Sequence, residues 1–170
     1  MASQFPHIIW WCPQLPPSPK AAAALIADGT AHWPATRMAV IGSSLGGFYA
    51  TWLAALRGCK AALLNPAIDP ARDLAKYIGE QTAWHDPAER FYFAPEFVDE
   101  LRALDVGPLP HPERAWALIA KGDEVLDWRE MTVRYAGSQQ VVMEGSDHAI
   151  SNFEQYLPQL LEFLNLQPAP

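Results

Sequence analysis

The sequence contains little cysteine: Cys12 and Cys59 are the only two among its 170 residues. Neither lies in a Cys-x-x-Cys or Cys/His spacing, so the sequence predicts no zinc site and no disulfide framework. Two unpaired thiols are typical of proteins in a reducing compartment, and we therefore expect a cytoplasmic protein.

Basic residues are also scarce. The chain has 12 Lys and Arg against 19 Asp and Glu, a formal net charge of −7. A negative field repels phosphate backbones, which excludes nucleic acid as an expected partner. Half of the residues are hydrophobic and 18% are charged, as in a globular protein. The length fits one domain over residues 1–170, which buries roughly 70% of the unfolded chain's surface.

A continuous membrane-spanning segment is absent from the pattern. Residues 38–56 form one uncharged run of sufficient length, but glycines and serines interrupt its middle. A strand, a turn and a helix explain this run better than a span. No basic residue precedes the short apolar stretch 8–11, and Pro13 follows it closely, so we expect no signal peptide and no membrane partner.

Apolar runs of strand length alternate with segments of helical periodicity along the chain. Strands are predicted at 8–11, 38–41, 61–64, 116–120 and 141–143. Helices are predicted at 21–28, 45–56, 95–104, 128–135 and 153–164, with Pro158 as a kink or the true start of the last. Residues 70–95 are expected to be irregular, apart from a short helix near 73–77. The alternation predicts an α/β fold with a parallel sheet covered on both faces.

Residues 42–46 match Gly-x-Ser-x-Gly, with Ser44 at the centre. A predicted strand ends here and a predicted helix begins, which is the context of a nucleophile elbow. The serine of such a turn has a strained backbone, and the residues around it pack closely. We therefore expect that there is no room for a side chain at Gly42 and Gly46. The Leu45 N–H would then face a developing oxyanion. The alternative is a glycine-rich helix entry without chemistry.

A serine nucleophile needs a base, and His148 is the best placed of five histidines. It follows the last predicted strand, in a loop from which it can reach the elbow serine. The alternative is an exposed loop histidine. Ser151 and Glu154 have the spacing of a capping box for the final helix.

The base in turn needs a carboxylate that orients it. Asp123 follows a predicted strand and is the preferred acid. Asp127 is the alternative, although together with Glu130 it can instead cap the next helix. Glu124 is expected to face solvent, and Asp147 is expected to be a turn residue.

Together these motifs resemble the YqiA-like esterases of the α/β-hydrolase superfamily. The matching segments, in the family's order, are 12–19, 41–53, 64–67, 122–127 and 144–148. The resemblance implies a compact, largely lidless hydrolase of small esters or thioesters. By motif, it places the nucleophile on Ser44, the base on His148 and the acid within 122–127.

The family pattern also includes a more N-terminal strand, which ends in a His-Gly loop and supplies a second oxyanion N–H. This chain lacks that segment, and only Gln14, Leu15 and Ser18 of its early loop offer N–H groups instead. Two arrangements follow. Either residues 8–11 pair directly with 38–41, or an open strand edge makes this form weakly active and prone to homodimerise.

The sequence therefore predicts a serine esterase or thioesterase that acts through Ser44, His148 and Asp123. This chemistry needs no metal and no organic cofactor. An acyltransferase would use the same three residues. A catalytically weak hydrolase-fold binding protein is the alternative of another class. Aromatic residues within 84–97, with His85 among them, form either an acyl pocket or a core patch.

Overall fold

The computed structural model describes residues 5–82 and 88–166. The helices are α1 (Pro19–Thr30), α2 (Leu45–Arg57), α3 (Pro70–Leu74), α4 (Pro95–Leu104), α5 (Trp128–Arg134) and α6 (Leu157–Leu164). The strands are β1 (Ala39–Ser43), β2 (Lys60–Leu64), β3 (Gly79–Thr82), β4 (Arg90–Phe93), β5 (Ala115–Ala120) and β6 (Gln139–Met143). Among the described residues, no helix has the length and apolarity needed to cross a membrane.

Four strands form a parallel sheet in the order β1-β2-β5-β6. Strand β5 lies inside the sheet and is buried at every position. Its sequence, Ala-Trp-Ala-Leu-Ile-Ala, has no polar side chain apart from the indole N–H, as expected of a strand covered on both faces. Because all four strands run in the same direction, their carboxyl ends meet at one edge.

Alternate residues of β5 pack against helices on opposite faces of the sheet. Ala117 and Ile119 join a buried cluster with Tyr135, at the end of α5. Trp116 lies on the other face, in a cluster with Leu160 of α6. The predicted α/β fold with helices on both faces is therefore confirmed.

The segment between β2 and β5 contains a β-hairpin that the sequence did not indicate. Strands β3 and β4 pair antiparallel, so the expectation of irregular structure is wrong for 79–82 and 90–93. Each strand has only four residues, and such short strands carry little periodicity. Phe93 is buried and meets Phe97 edge to face, with ring centroids 5.5 Å apart. Trp84 and His85 lie outside the described residues.

The strand predicted at 8–11 is wrong, and of the two arrangements considered the direct pairing of 8–11 with 38–41 is not found. These residues form no strand, and the Ile9 side chain is 79% exposed. Trp11 instead packs across Gly29, where an added Cβ would lie 2.2 Å from the indole ring. No strand of the described ranges lies beside this apolar run. It therefore gains no inter-strand hydrogen bonds from an extended conformation, which explains why the predicted strand does not form.

In the described part of the chain, β1 pairs only with β2 and forms one edge of the sheet. It contains neither charge nor proline, the features that usually prevent edge-to-edge pairing. We therefore expect concentration-dependent dimerisation by size-exclusion chromatography. Ile41→Lys, at a side chain 40% exposed on this edge, should favour the monomer.

Val142→Lys is the matched control for this prediction, because Val142 is 39% exposed on β6 at the opposite edge. It should leave the elution volume unchanged. A parent chain that elutes as a monomer at every concentration would show that β1 does not associate.

Candidate active site

Ser44 lies in the turn between β1 and α2. Its backbone has φ 52° and ψ −123°, a conformation that residues with a side chain rarely adopt. The Ser44 carbonyl accepts hydrogen bonds from the N–H groups of Gly47, Phe48 and Ala67. These bonds fix the turn, and the strained backbone predicted from the motif is confirmed.

Two glycines allow this turn to pack. A Cβ at Gly42 would lie 2.1 Å from the Gly46 carbonyl oxygen, and one at Gly47 would lie 2.7 Å from Cβ of Pro66. A Cβ at Gly46, in contrast, would meet no atom within 4 Å. The expected close approach is therefore confirmed at Gly42 and wrong at Gly46, because the crowded helix position is Gly47.

Gly42→Ala is expected to lower the free energy of unfolding by about 3 kcal/mol, the upper part of the usual range for overpacking. The clashing atoms belong to the backbone of α2 and cannot rotate away. Gly46→Ala is the control, because its Cβ would enter open space. Urea unfolding measures both changes, and equal stability of the two variants would contradict the packing argument.

His148 follows β6 and reaches back to Ser44. Its Nε2 atom lies 3.0 Å from the Ser44 Oγ atom, and its Nδ1 atom lies 2.9 Å from Oδ2 of Asp123. The His148 side chain is 23% exposed, whereas that of Asp123 is completely buried. Oδ1 of Asp123 also accepts hydrogen bonds from the N–H groups of Val125 and Leu126. The carboxylate is thus held in one orientation beneath the imidazole.

The structure brings Asp123, and not Asp127, to His148. Asp127 caps α5, and its Oδ1 atom accepts a hydrogen bond from the Arg129 N–H at 2.9 Å. This is the capping role that the sequence offered for Asp127. Glu124 is exposed, as expected, and its Oε2 atom also accepts a hydrogen bond from the backbone N–H of His148 at 3.0 Å. No sequence signal marked that contact, which depends on two loops meeting.

Asp147 stabilises the turn beside His148, as expected. It accepts hydrogen bonds from the hydroxyl and the N–H of Ser151, which hold the pKa of its carboxyl below the ordinary value. The predicted capping box of Ser151 and Glu154 is therefore wrong. Helix α6 begins only at Leu157, and Pro158 lies in its first turn, so Pro158 marks the true start.

The two loops that hold Asp123 and His148 are in direct contact. The Gly122 N–H donates to the Gly145 carbonyl at 3.0 Å. A Cβ at Gly122 would lie 2.3 Å from the Ser146 carbonyl oxygen, so any side chain there would push the loops apart. A glycine before Asp123 therefore lets the carboxylate approach the imidazole.

Leu45 is the first residue of α2, and its N–H has no acceptor from within the helix. An N–H at this position, directly after the serine, suits a negative charge that develops beside Ser44. Across residues 5–82 and 88–166, no three His, Cys, Asp or Glu side chains form a group that could hold a metal ion.

Comparison with known proteins assigns the family and the fold. Residues 1–165 match the family described as "Uncharacterised protein family (UPF0227)". A UPF0227 protein of Vibrio parahaemolyticus is 24% identical over 127 residues, which cover 74% of this chain and 64% of that protein. The chain thus spans less than two thirds of the length of this relative.

Solved α/β-hydrolase structures share the fold. A putative hydrolase from Agrobacterium vitis aligns with a TM-score of 0.65 at 14% identity, over 86% of this chain and 69% of its own. The monoacylglycerol lipase of Paleococcus ferrophilus aligns with a TM-score of 0.60 at 16% identity, over 86% and 75%. At this identity the likeness concerns the fold alone. With a family match over nearly its whole length, the chain belongs to the UPF0227 family and has the α/β-hydrolase fold.

Proposed function

We propose that the protein hydrolyses small carboxylic esters or thioesters, with Ser44 as the nucleophile. One observation supports this most strongly: a continuous hydrogen-bonded line runs from Ser44 Oγ through the His148 imidazole to the Asp123 carboxylate. A serine, a histidine and a buried carboxylate in this order are the parts of a catalytic triad. The strained turn at Ser44 adds a second, independent support.

In the proposed reaction, Ser44 Oγ attacks the acyl carbonyl carbon while His148 Nε2 takes the serine proton. The carbonyl oxygen becomes an oxyanion next to the Leu45 N–H. The tetrahedral intermediate then collapses, and the bond to the leaving alcohol or thiol breaks as His148 returns the proton to it. Asp123 holds the imidazole tautomer and stabilises its cation.

The acyl group on Ser44 is then released by water. His148 takes a proton from the attacking water, the hydroxide adds to the acyl carbon, and Ser44 departs with that proton. The products are a carboxylic acid and the free serine. These steps use only side chains and backbone of this chain, together with water.

The proposed substrate is a small acyl compound. The His148 ring is 23% exposed, so a short ester can reach the serine from solvent. One fold neighbour is a monoacylglycerol lipase, which makes glycerol monoesters a reasonable first choice for assay. Both cysteines, exposed Cys12 and buried Cys59, are free thiols, in keeping with the proposed cytoplasmic location.

Product analysis tests this proposal against its rivals. The protein is incubated with short aryl esters, monoacylglycerols and acyl thioesters, alone and with an added alcohol or thiol, and products are identified by mass spectrometry. Release of the free carboxylic acid supports hydrolysis. Transfer of the acyl group to the added acceptor identifies an acyltransferase, and binding without turnover identifies a binding protein.

A further inference from the structure

Asn65 is a buried polar residue for which the reaction described above has no role. It directly follows β2, and none of its surface is exposed. Its backbone φ of 39° lies in the left-handed region, which asparagine tolerates better than most residues with a side chain. Burying an amide costs free energy unless the amide is fully hydrogen-bonded, so the hydrogen-bond partners of Asn65 must offset this cost.

The side chain of Asn65 joins three segments at the carboxyl edge of the sheet. Its Oδ1 atom accepts the N–H of Ala120, the last residue of β5, at 2.8 Å. Its Nδ2 group donates to the carbonyls of Asp147 at 3.0 Å and His148 at 3.1 Å. The amide therefore connects the end of β2, the end of β5 and the loop that holds the imidazole.

This loop has an irregular backbone that needs support from outside. Ser146 and Ile150 both have positive φ, at 64° and 52°, which residues with a side chain rarely adopt. Such conformations persist only where the surroundings hold them in place. The exposed Glu124 holds the N–H of His148, and the buried Asn65 holds its carbonyl. The Asn65 amide is fully buried and its bonds to the loop are better shielded from water than the exposed bond to Glu124, so Asn65 is the stronger restraint.

We propose that Asn65 is a positioning residue for His148. By fixing the carbonyls of residues 147 and 148, its amide sets the distance of 3.0 Å between His148 Nε2 and Ser44 Oγ. The loss of kcat expected without this amide rests on the proposed hydrolase function, whereas the expected displacement of His148 does not. A misplacement of about 1 Å at a reacting group can reduce the rate about 100-fold.

Two variants remove the restraint in different ways. N65D keeps the shape of the side chain and its acceptor for Ala120, but replaces the NH₂ donor group. N65G removes the side chain while suiting the positive φ, so it keeps the fold if N65D does not. The control is Q140E. Gln140 Nε2 also donates to two carbonyls, those of Thr132 and Tyr135, at the far end of α5.

The first readout is the downfield proton NMR signal of the hydrogen bond between His148 Nδ1 and Asp123, which needs no substrate. We expect it to broaden or disappear in N65D and N65G and to persist in the parent and in Q140E. The second readout is ester hydrolysis: both Asn65 variants should lose about 100-fold in kcat with little change in KM. Q140E should lower the melting temperature and leave kcat unchanged.

Retention of both the NMR signal and kcat in a folded N65G variant would overturn the proposal. Equal losses in Q140E would also overturn it, because they would show a general effect of stability. If the parent hydrolyses none of the esters yet the NMR signal depends on Asn65, the positioning role stands and the proposed function fails.

Discussion

Replacing Ser44 by alanine is expected to reduce kcat for a short ester by about 10⁶-fold, because the nucleophile of a triad has no substitute. The fold should persist. Within the part of the chain that the structure describes, the one hydrogen bond of Ser44 Oγ is to His148, and the backbone of the turn is held by hydrogen bonds to the Ser44 carbonyl that alanine retains. The measurement is steady-state hydrolysis by the purified variant, with circular dichroism to verify its structure.

Ser43→Ala is the matched control, since Ser43 precedes the turn and ends β1. It removes the same hydroxyl from the neighbouring residue and should leave kcat within a factor of a few of the parent. Ester hydrolysis that survives in the Ser44 variant and is lost in the Ser43 variant would show that the wrong serine has been assigned.

The second large effect concerns the acid. Asp123→Asn is expected to reduce kcat by about 10⁴-fold, because an amide in place of the carboxylate favours the wrong imidazole tautomer. Its side chain is completely buried, so no water can replace the lost acceptor. The change should leave binding of the ester unaffected, so KM should change little. Steady-state kinetics separates the two parameters.

Asp127→Asn makes the same chemical change four residues away. Asp127 caps α5, and asparagine caps helices about as well as aspartate, so kcat and stability should both be close to those of the parent. A larger loss of kcat in the Asp127 variant than in the Asp123 variant would make Asp127 the acid.

The sequence was sufficient for those parts of the fold that depend on local pattern. Strand β5 is a continuous apolar run with helices before and after it, and both faces of such a strand must be covered. The turn at Ser44 has its own motif, and β6 is followed at once by the loop with His148. Ser44, Asp123 and His148 each follow a strand of the parallel sheet. Because the carboxyl ends of parallel strands lie at one edge, the sequence predicted that these three residues would lie close together.

The features that sequence reasoning missed depend on contacts between distant segments. Ile9 lies in an apolar run that looks like a strand, but among the residues that the structure describes no strand lies beside it to accept its hydrogen bonds. The hydrogen bond from the His148 N–H to the exposed Glu124 carboxylate depends on two loops that meet only in the fold. Asn65 resembles an ordinary strand-ending residue, and its three partners lie 55 to 83 positions away in the sequence.

Reaction with a fluorophosphonate tests the central claim most directly, because this reagent reacts much faster with a serine that an adjacent base has activated than with an ordinary hydroxyl. We predict one adduct per chain, located on Ser44 by peptide mass spectrometry, and no adduct when His148 is replaced by alanine. An unmodified Ser44 in the folded parent protein, or an adduct that forms equally well without His148, would contradict the assignment of Ser44 as an activated nucleophile.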